Sequence, residues 1–271
     1  MKQTTIARSA SFRGIGLHTG REVSMRIEPS EAGTGIFFEY SGAQIRASIE
    51  NAVVSPRNTE LKSGDVTLFT VEHVLAALFG MGVDNARVVL DAPEPPVLDG
   101  SALGFATVIK ESGIVSLESE LNRVPVEKPL IFSENGATIL FLPSDVLKMT
   151  YFLDHPHEMI GRQSADYVHS ESMFLDRIAP ARTFGLIEEV EALHNAGLAL
   201  GGSLENAVVV YPDRYSSELR FENEFARHKL LDMIGDMSLM GRGFSAHCVG
   251  IKSGHASNIK SLKTVFGQKK H

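Results

Sequence analysis

The sequence predicts an α+β fold built from two similar domains, and three observations carry that expectation. Short segments of period-2 alternation, rich in β-branched and aromatic residues, are interrupted by a few helical segments that do not alternate strictly with them, unlike a doubly wound parallel sheet. The order helix, glycine-containing turn, strand, turn, helix occurs twice, in "EHVLAALFGMGVDNARVVL" followed by "DGSALGFATVI", and in "RHKLLDMIGDMSLMGRGFSAHCVGI" followed by "SGHASNIKSLKTV". Between the copies, "LESELNRVPVEKP" concentrates charge and proline as a linker does, which divides the chain into expected domains of residues 1–120 and 121–271.

The elements follow in order. Strands are expected at "VSMRIE" (23–28), "GIFFEY" (35–40), "ARVVLD" (86–91), "ATILFL" (137–142), "LKMTYFL" (147–153) and "ENAVVVY" (205–211). Helical spacing marks "VEHVLAALFG", "SALGFATVIKES", "GLIEEVEALHNAG", "FARHKLLDMIGDMSLMG" and "HASNIKSLKTV". Thr70 is expected to cap the first of these, which puts Glu72 and His73 in its first turn.

Composition limits what such a fold can do. The 271 residues are 43% hydrophobic, enough to bury a core in each half. A net charge of −7, with no basic run beyond the tail "QKKH", argues against a nucleic-acid partner. The opening "MKQTTIARSASFRGIGLHTG" lacks a signal-peptide core, and no later apolar run is long enough for a transmembrane helix. A cytoplasmic protein is expected, and, without an exposed heptad or apolar strip, a monomer. The single cysteine, Cys248 in "FSAHCVGI", has no disulfide partner within the chain and reads as a small buried hydrophobe.

The chemistry concentrates on "FARHKLLDMIGDMSLMG". At about 100° per residue, Asp232 falls about 40° and Asp236 about 80° from His228, while Leu230, Met233, Ile234 and Met237 fall between about 140° and 240°. The i, i+4 spacing sets His228 and Asp232 side by side, as two ligands of one metal ion require. Imidazole plus carboxylate suits zinc, with iron(II) the nearest competitor. The bland alternative is a solvated helix face. Two neighbours weigh against it: Asp236 continues the stripe, and Gly235, costing about 1 kcal/mol inside a helix, suggests close approach by another element.

A catalytic zinc needs a third protein ligand and an open position for water. Of the ten histidines, His73 is the best candidate, since the repeat equates it with His228. Glu72 points about 100° away from it and can stand over the metal's water as a general base. His255, after a glycine at a strand-to-helix turn, is presented rather than packed. His18 is a rival held in a tight hairpin, His155 and His157 lie in a turn, and structural roles suffice for His169, His194 and His247.

Taken together, "TVEHVLAAL", "GGSLENAVV", "ARTFG", "RHKLLDMIGD" and "SGHASN" resemble the UDP-3-O-acyl-N-acetylglucosamine deacetylases of lipid A biosynthesis. The resemblance runs from "GIGLHTG" to the final helix. It implies a fold of two similar α+β domains with helices sandwiched between outer sheets and the active site at the domain interface. It implies zinc held by His73, His228 and Asp232, with Glu72 as base and His255 as proton donor. Lys229 and Thr183 are then expected to stabilise the oxyanion, and Asp236 to hold His255 protonated and oriented. Phe184, Gly202 and Lys229 are expected to touch a UDP-linked, acylated glucosamine, and residues 181–210 to form a greasy passage for its acyl chain. Asp99, which matches a family motif, is expected to be a helix cap or turn residue. Another N-acetyl sugar as substrate, or a metal-stabilised binding protein without turnover, are the competing readings. A poised base and acid favour an enzyme over the latter.

Overall fold

The computed structural model describes residues 1–122, 124–241 and 243–267; the "QKKH" tail lies outside them. Two five-stranded sheets dominate. The first runs Ala10–Ile15, Glu22–Pro29, Ala86–Leu90, Ile36–Tyr40, Ala43–Arg46 across its width. The second runs Leu130–Glu134, Ala137–Leu142, His247–Ile251, Lys148–Asp154, Arg162–Val168. In each, two hairpins flank the strand latest in sequence, and one contact alone is parallel: Ile36–Tyr40 beside Ala86–Leu90, and Lys148–Asp154 beside His247–Ile251. The repeat of elements is thus also a repeat of strand order, and the fold is α+β.

Alternation fixes which face of each sheet is covered. Val23, Met25 and Ile27 are buried along one strand, and Ile139 and Phe141 along another. Cys248 sits in register between Phe141 and Met149, fully buried, and burial pushes its thiol pKa up. It is the inert hydrophobe expected.

The helices are α1 (Glu72–Gly80), α2 (Leu103–Ser112), the short α3 (Glu171–Met173) running into a π-helical stretch at Phe174–Ile178, α4 (Ile187–Asn195), α5 (Glu224–Met237) and α6 (His255–Val265). α2 packs beside α1 and against the Ala10–Ile15 strand, while α5 lies on Lys148–Asp154 and Arg162–Val168, with α6 next to it. The two helical layers meet where α1 crosses α5. Among the described residues no helix is long and apolar enough to cross a membrane.

Three expectations need correction. Thr70 does not cap α1: Val71 takes the cap position without a side-chain bond, and Thr70, at φ +55°, turns its hydroxyl to Glu94 instead. The expected linker is partly sheet, since Ile114–Glu120 pairs with Lys2–Ile6 and Val124–Pro125 with Phe244–Ser245. The strand expected at 205–211 is short, Val208–Val210, paired in parallel with Phe184–Leu186.

Candidate active site

Where α1 crosses α5, the helices approach too closely for any side chain between them. A Cβ on Gly235 would lie 2.3 Å from the carbonyl oxygen of Glu72. That contact sets the first turn of α1 over the polar stripe of α5. The stripe is not a solvated face: His228 and Asp232 are 3% exposed and Asp236 is fully buried.

His73, His228 and Asp232 converge. The Nε2 atoms of His73 and His228 stand 3.6 Å and 3.4 Å from Asp232 Oδ1, and the rings meet edge to face at 5.1 Å. The Nδ1 of His228 donates to the carbonyl of Ala181 at 3.1 Å, which leaves Nε2 with its lone pair free. Burial, opposed by Asp232, lowers the pKa of His228 to about 4, so the ring is neutral. Asp232 is also buried, but His228 and Lys229 more than offset that and hold its carboxyl well below the usual range. Among the described residues this is the one group of histidine, cysteine or acidic side chains arranged to hold a metal ion.

The group fits such an ion. Ligands at about 2.0–2.2 Å from one tetrahedral centre stand about 3.3–3.6 Å apart, as Asp232 Oδ1 does from each histidine Nε2. All three donors lie within 4.8 Å of one another, and an imidazole fixed through Nδ1 is the usual way to aim its other nitrogen at a metal.

Glu72 and His255 flank the same point. His255 Nε2 is 3.7 Å from both Glu72 Oε1 and Asp232 Oδ2, and its Nδ1 faces Asp236 Oδ2 at 3.1 Å. Burial alone would keep His255 neutral, yet Asp236, Glu72 and Asp232 together raise its pKa to about 9. Burial raises the pKa of Glu72, against the pull of His255 and His73. Lys229 Nζ donates to Asp232 Oδ2 at 2.6 Å. It is half-buried; desolvation pulls its pKa down, but Asp232 and Tyr151 push it up, so it stays charged.

The "ARTFG" segment closes one side. Arg182, 9% exposed, grips Glu224 in the first turn of α5 through Nε at 2.8 Å and Nη2 at 3.0 Å. This holds Ala181 on His228 and puts Phe184 6.1 Å from the His228 ring and 6.0 Å from Lys229 Nζ. Thr183 is pinned by its N–H to Gly100 and its carbonyl to Val208. Asp99 is a turn residue: it accepts from the Ser101 N–H and hydroxyl and pairs with Arg220 at 2.9 Å.

A cleft of about 500 Å³ opens from the cluster, with His73, Thr183, His228 and Asp232 at one end and Val190, Leu193 and Leu204 among its apolar walls. Gly202 lines it, as does His18. A second cleft of about 360 Å³ holds Lys229 and Lys252. His155, also in this second cleft, makes no ligand group, nor does His157; His169 and His194 bond locally to Tyr167 and Ala199, and His247 bonds across neighbouring strands to Thr150. Sequence reasoning missed Glu94, fully buried, whose carboxylate takes the N–H groups of His18 and Thr19 and the hydroxyls of Thr19 and Thr70. It also missed Thr59 and Lys252, whose partners lie far away in the chain.

A family model for UDP-3-O-acyl N-acetylglycosamine deacetylases (LpxC) matches residues 3–267. A protein of Leptospira biflexa is 40% identical over 270 residues, covering 97% of this chain and 89% of that protein. One from Geobacter sp. strain M21 is 39% identical, covering 95% and 87%, and one from Campylobacter fetus is 38% identical, covering 100% and 94%. Each of the three is named UDP-3-O-acyl-N-acetylglucosamine deacetylase.

Proposed function

The chain belongs to the family of UDP-3-O-acyl-N-acetylglucosamine deacetylases, and from that premise we propose that it hydrolyses the N-acetyl group of UDP-3-O-acyl-N-acetylglucosamine to the free amine and acetate, in lipid A biosynthesis, with zinc as its metal. The observation that carries this reading is the buried His73, His228 and Asp232 group with His255 beside it and Glu72 next to His255.

His73 and His228 would hold the ion through Nε2 and Asp232 through Oδ1. When bound, a divalent ion there makes water more acidic and polarises a carbonyl. Glu72 takes a proton from the attacking water; its raised pKa brings it nearer to neutrality, where a general base works best. Charge then develops on the acetamide oxygen, and the Lys229 ammonium and Thr183 hydroxyl, both from residues lining the cleft, are the donors assigned to stabilise it. The amine leaves only if protonated. His255, kept cationic by Asp236, supplies that proton through Nε2.

The larger cleft suits the acyl chain, with Ile187, Val190, Leu193, Leu204 and Val209 from segment 181–210 along its walls. Phe184 and Gly202 would face the sugar. The smaller cleft, with Lys229 and Lys252, suits the diphosphate. The division at 1–120 and 121–271 assigns one ligand and the base to the first unit, and two ligands and the acid to the second. A cytoplasmic monomer completes the proposal, checked by fractionation and light scattering.

The deciding experiment follows free-amine formation from UDP-3-O-acyl-N-acetylglucosamine by chelator-treated protein, alone or with one equivalent of zinc or of iron(II). Turnover restored by zinc is expected. Turnover with iron(II) only would replace the metal, and no turnover in any sample would remove this substrate.

A further inference from the structure

Thr59, fully buried, touches the base, the acid and the acid's partner without being any of them. Its backbone N–H donates to Glu72 Oε2 at 2.9 Å. Its hydroxyl donates to Asp236 Oδ1, and the same oxygen is 3.1 Å from His255 Nδ1. The other Asp236 oxygen accepts from Asn258 Nδ2 at 2.8 Å. The carbonyl of Thr59 accepts from the Val71 N–H, just ahead of α1, so the residue is held on three sides.

We propose that Thr59 is a positioning residue of the deacetylation, which orients Glu72 through its N–H and the Asp236–His255 pair through its hydroxyl; this rests on the reading of Glu72 as base and His255 as acid. The terminal torsion of an aspartate is soft, so a carboxylate bonded to His255 alone can swing and take the imidazole with it. Thr59 on one oxygen and Asn258 on the other fix its plane. His255 Nε2 must meet a leaving nitrogen within hydrogen-bond reach, and small misplacements of that kind are costly in rate. Thr59 precedes the Glu60–Ser63 strand, whereas Asp236 and His255 lie on α5 and α6. One residue thereby sets acid and base, contributed by opposite halves of the chain, against each other, the base through its N–H and the acid through its hydroxyl.

Side-chain substitution isolates the hydroxyl, because the N–H to Glu72 survives it. Deacetylation kinetics are measured for the zinc-loaded wild type, Thr59→Val and Thr59→Ser, and for Thr59→Val combined with His255→Ala, with metal content and unfolding temperature on each. Thr59→Val is expected to lower kcat by about 10–100-fold, the range for removing a partner behind an active-site group, with KM and bound metal unchanged. Thr59→Ser should recover most of that loss. On top of His255→Ala, Thr59→Val should add little, since groups acting as one unit are not additive.

Wild-type kcat in Thr59→Val, a change confined to KM, or an undiminished further loss in the double variant overturns the proposal. Should Thr59→Val not fold, Thr59→Ala takes its place under the same criteria. An inactive wild type sinks the deacetylase reading and this proposal together, whereas an active wild type with an unaffected Thr59→Val sinks this proposal alone.

Discussion

His255 carries a charge where burial opposes one, and the reason is the company it keeps. Asp236, Glu72 and Asp232 raise its pKa to about 9, while burial raises that of Glu72 above the usual carboxylate value. The working state needs Glu72 ionised and His255 protonated. Rate should therefore fall as pH drops below the Glu72 pKa and fall again as pH rises past that of His255, a bell whose alkaline limb belongs to His255. In His255→Ala the plateau should drop and that limb disappear; a profile with both limbs and plateau intact would end its role as acid. At the same scale, Asp232→Ala should strip metal from the protein, while Asp176→Ala, at an exposed position, should not. Equal metal content in the two by elemental analysis would take Asp232 out of the ligand set.

At the scale of elements, the site depends on one helix crossing. α1 delivers Glu72 and His73, α5 delivers His228, Asp232 and Asp236, and Gly235 lets their backbones touch. Gly235→Ala gains about 1 kcal/mol in intrinsic helix preference, but its Cβ would sit 2.3 Å from the Glu72 carbonyl oxygen. Overpacking a fixed interface costs about 1–3 kcal/mol, and here the obstacle is backbone that cannot rotate away. The clash should win, lowering Tm by several degrees and activity with it as Glu72 is displaced. A variant as stable and active as the wild type would show that the crossing is adjustable. The linker that proved to be strand has an elementary cause as well. Residues 117–120 read as linker because their side chains are almost all polar or exposed, and the strand is held instead by backbone bonds to Lys2–Ile6.

The whole molecule is two copies of one topology joined face to face by helices, and the proposed ion would tie the copies together, with His73 from one and His228 and Asp232 from the other. Binding to the folded state alone stabilises by about 2.7 kcal/mol at a free concentration 100 times Kd, which for a chain of this size is about 5–10 °C in Tm. Chelation should lower Tm by that order and zinc should restore it, followed by calorimetry. A Tm indifferent to chelator would mean that the metal does not bridge the halves.

What could be read from the chain by itself was what is local or periodic. The α+β class follows from period-2 segments set among a few helices, the repeat from element order, and the adjacency of His228 and Asp232 from 3.6 residues per turn. Gly235 announced a close approach because glycine is expensive inside a helix, though not what approached. Tertiary structure alone decided the rest, because those contacts join residues with no shared period: Thr59 meets Asp236 and His255 across 177 and 196 positions, and Thr70 gave up its cap for Glu94. The polar stripe of α5 shows the division most plainly. Its residues and spacing are written in the sequence, but whether it faces water or is buried against α1 depended on what packed over it, and only there does the cost of burying charge become a reason for a metal.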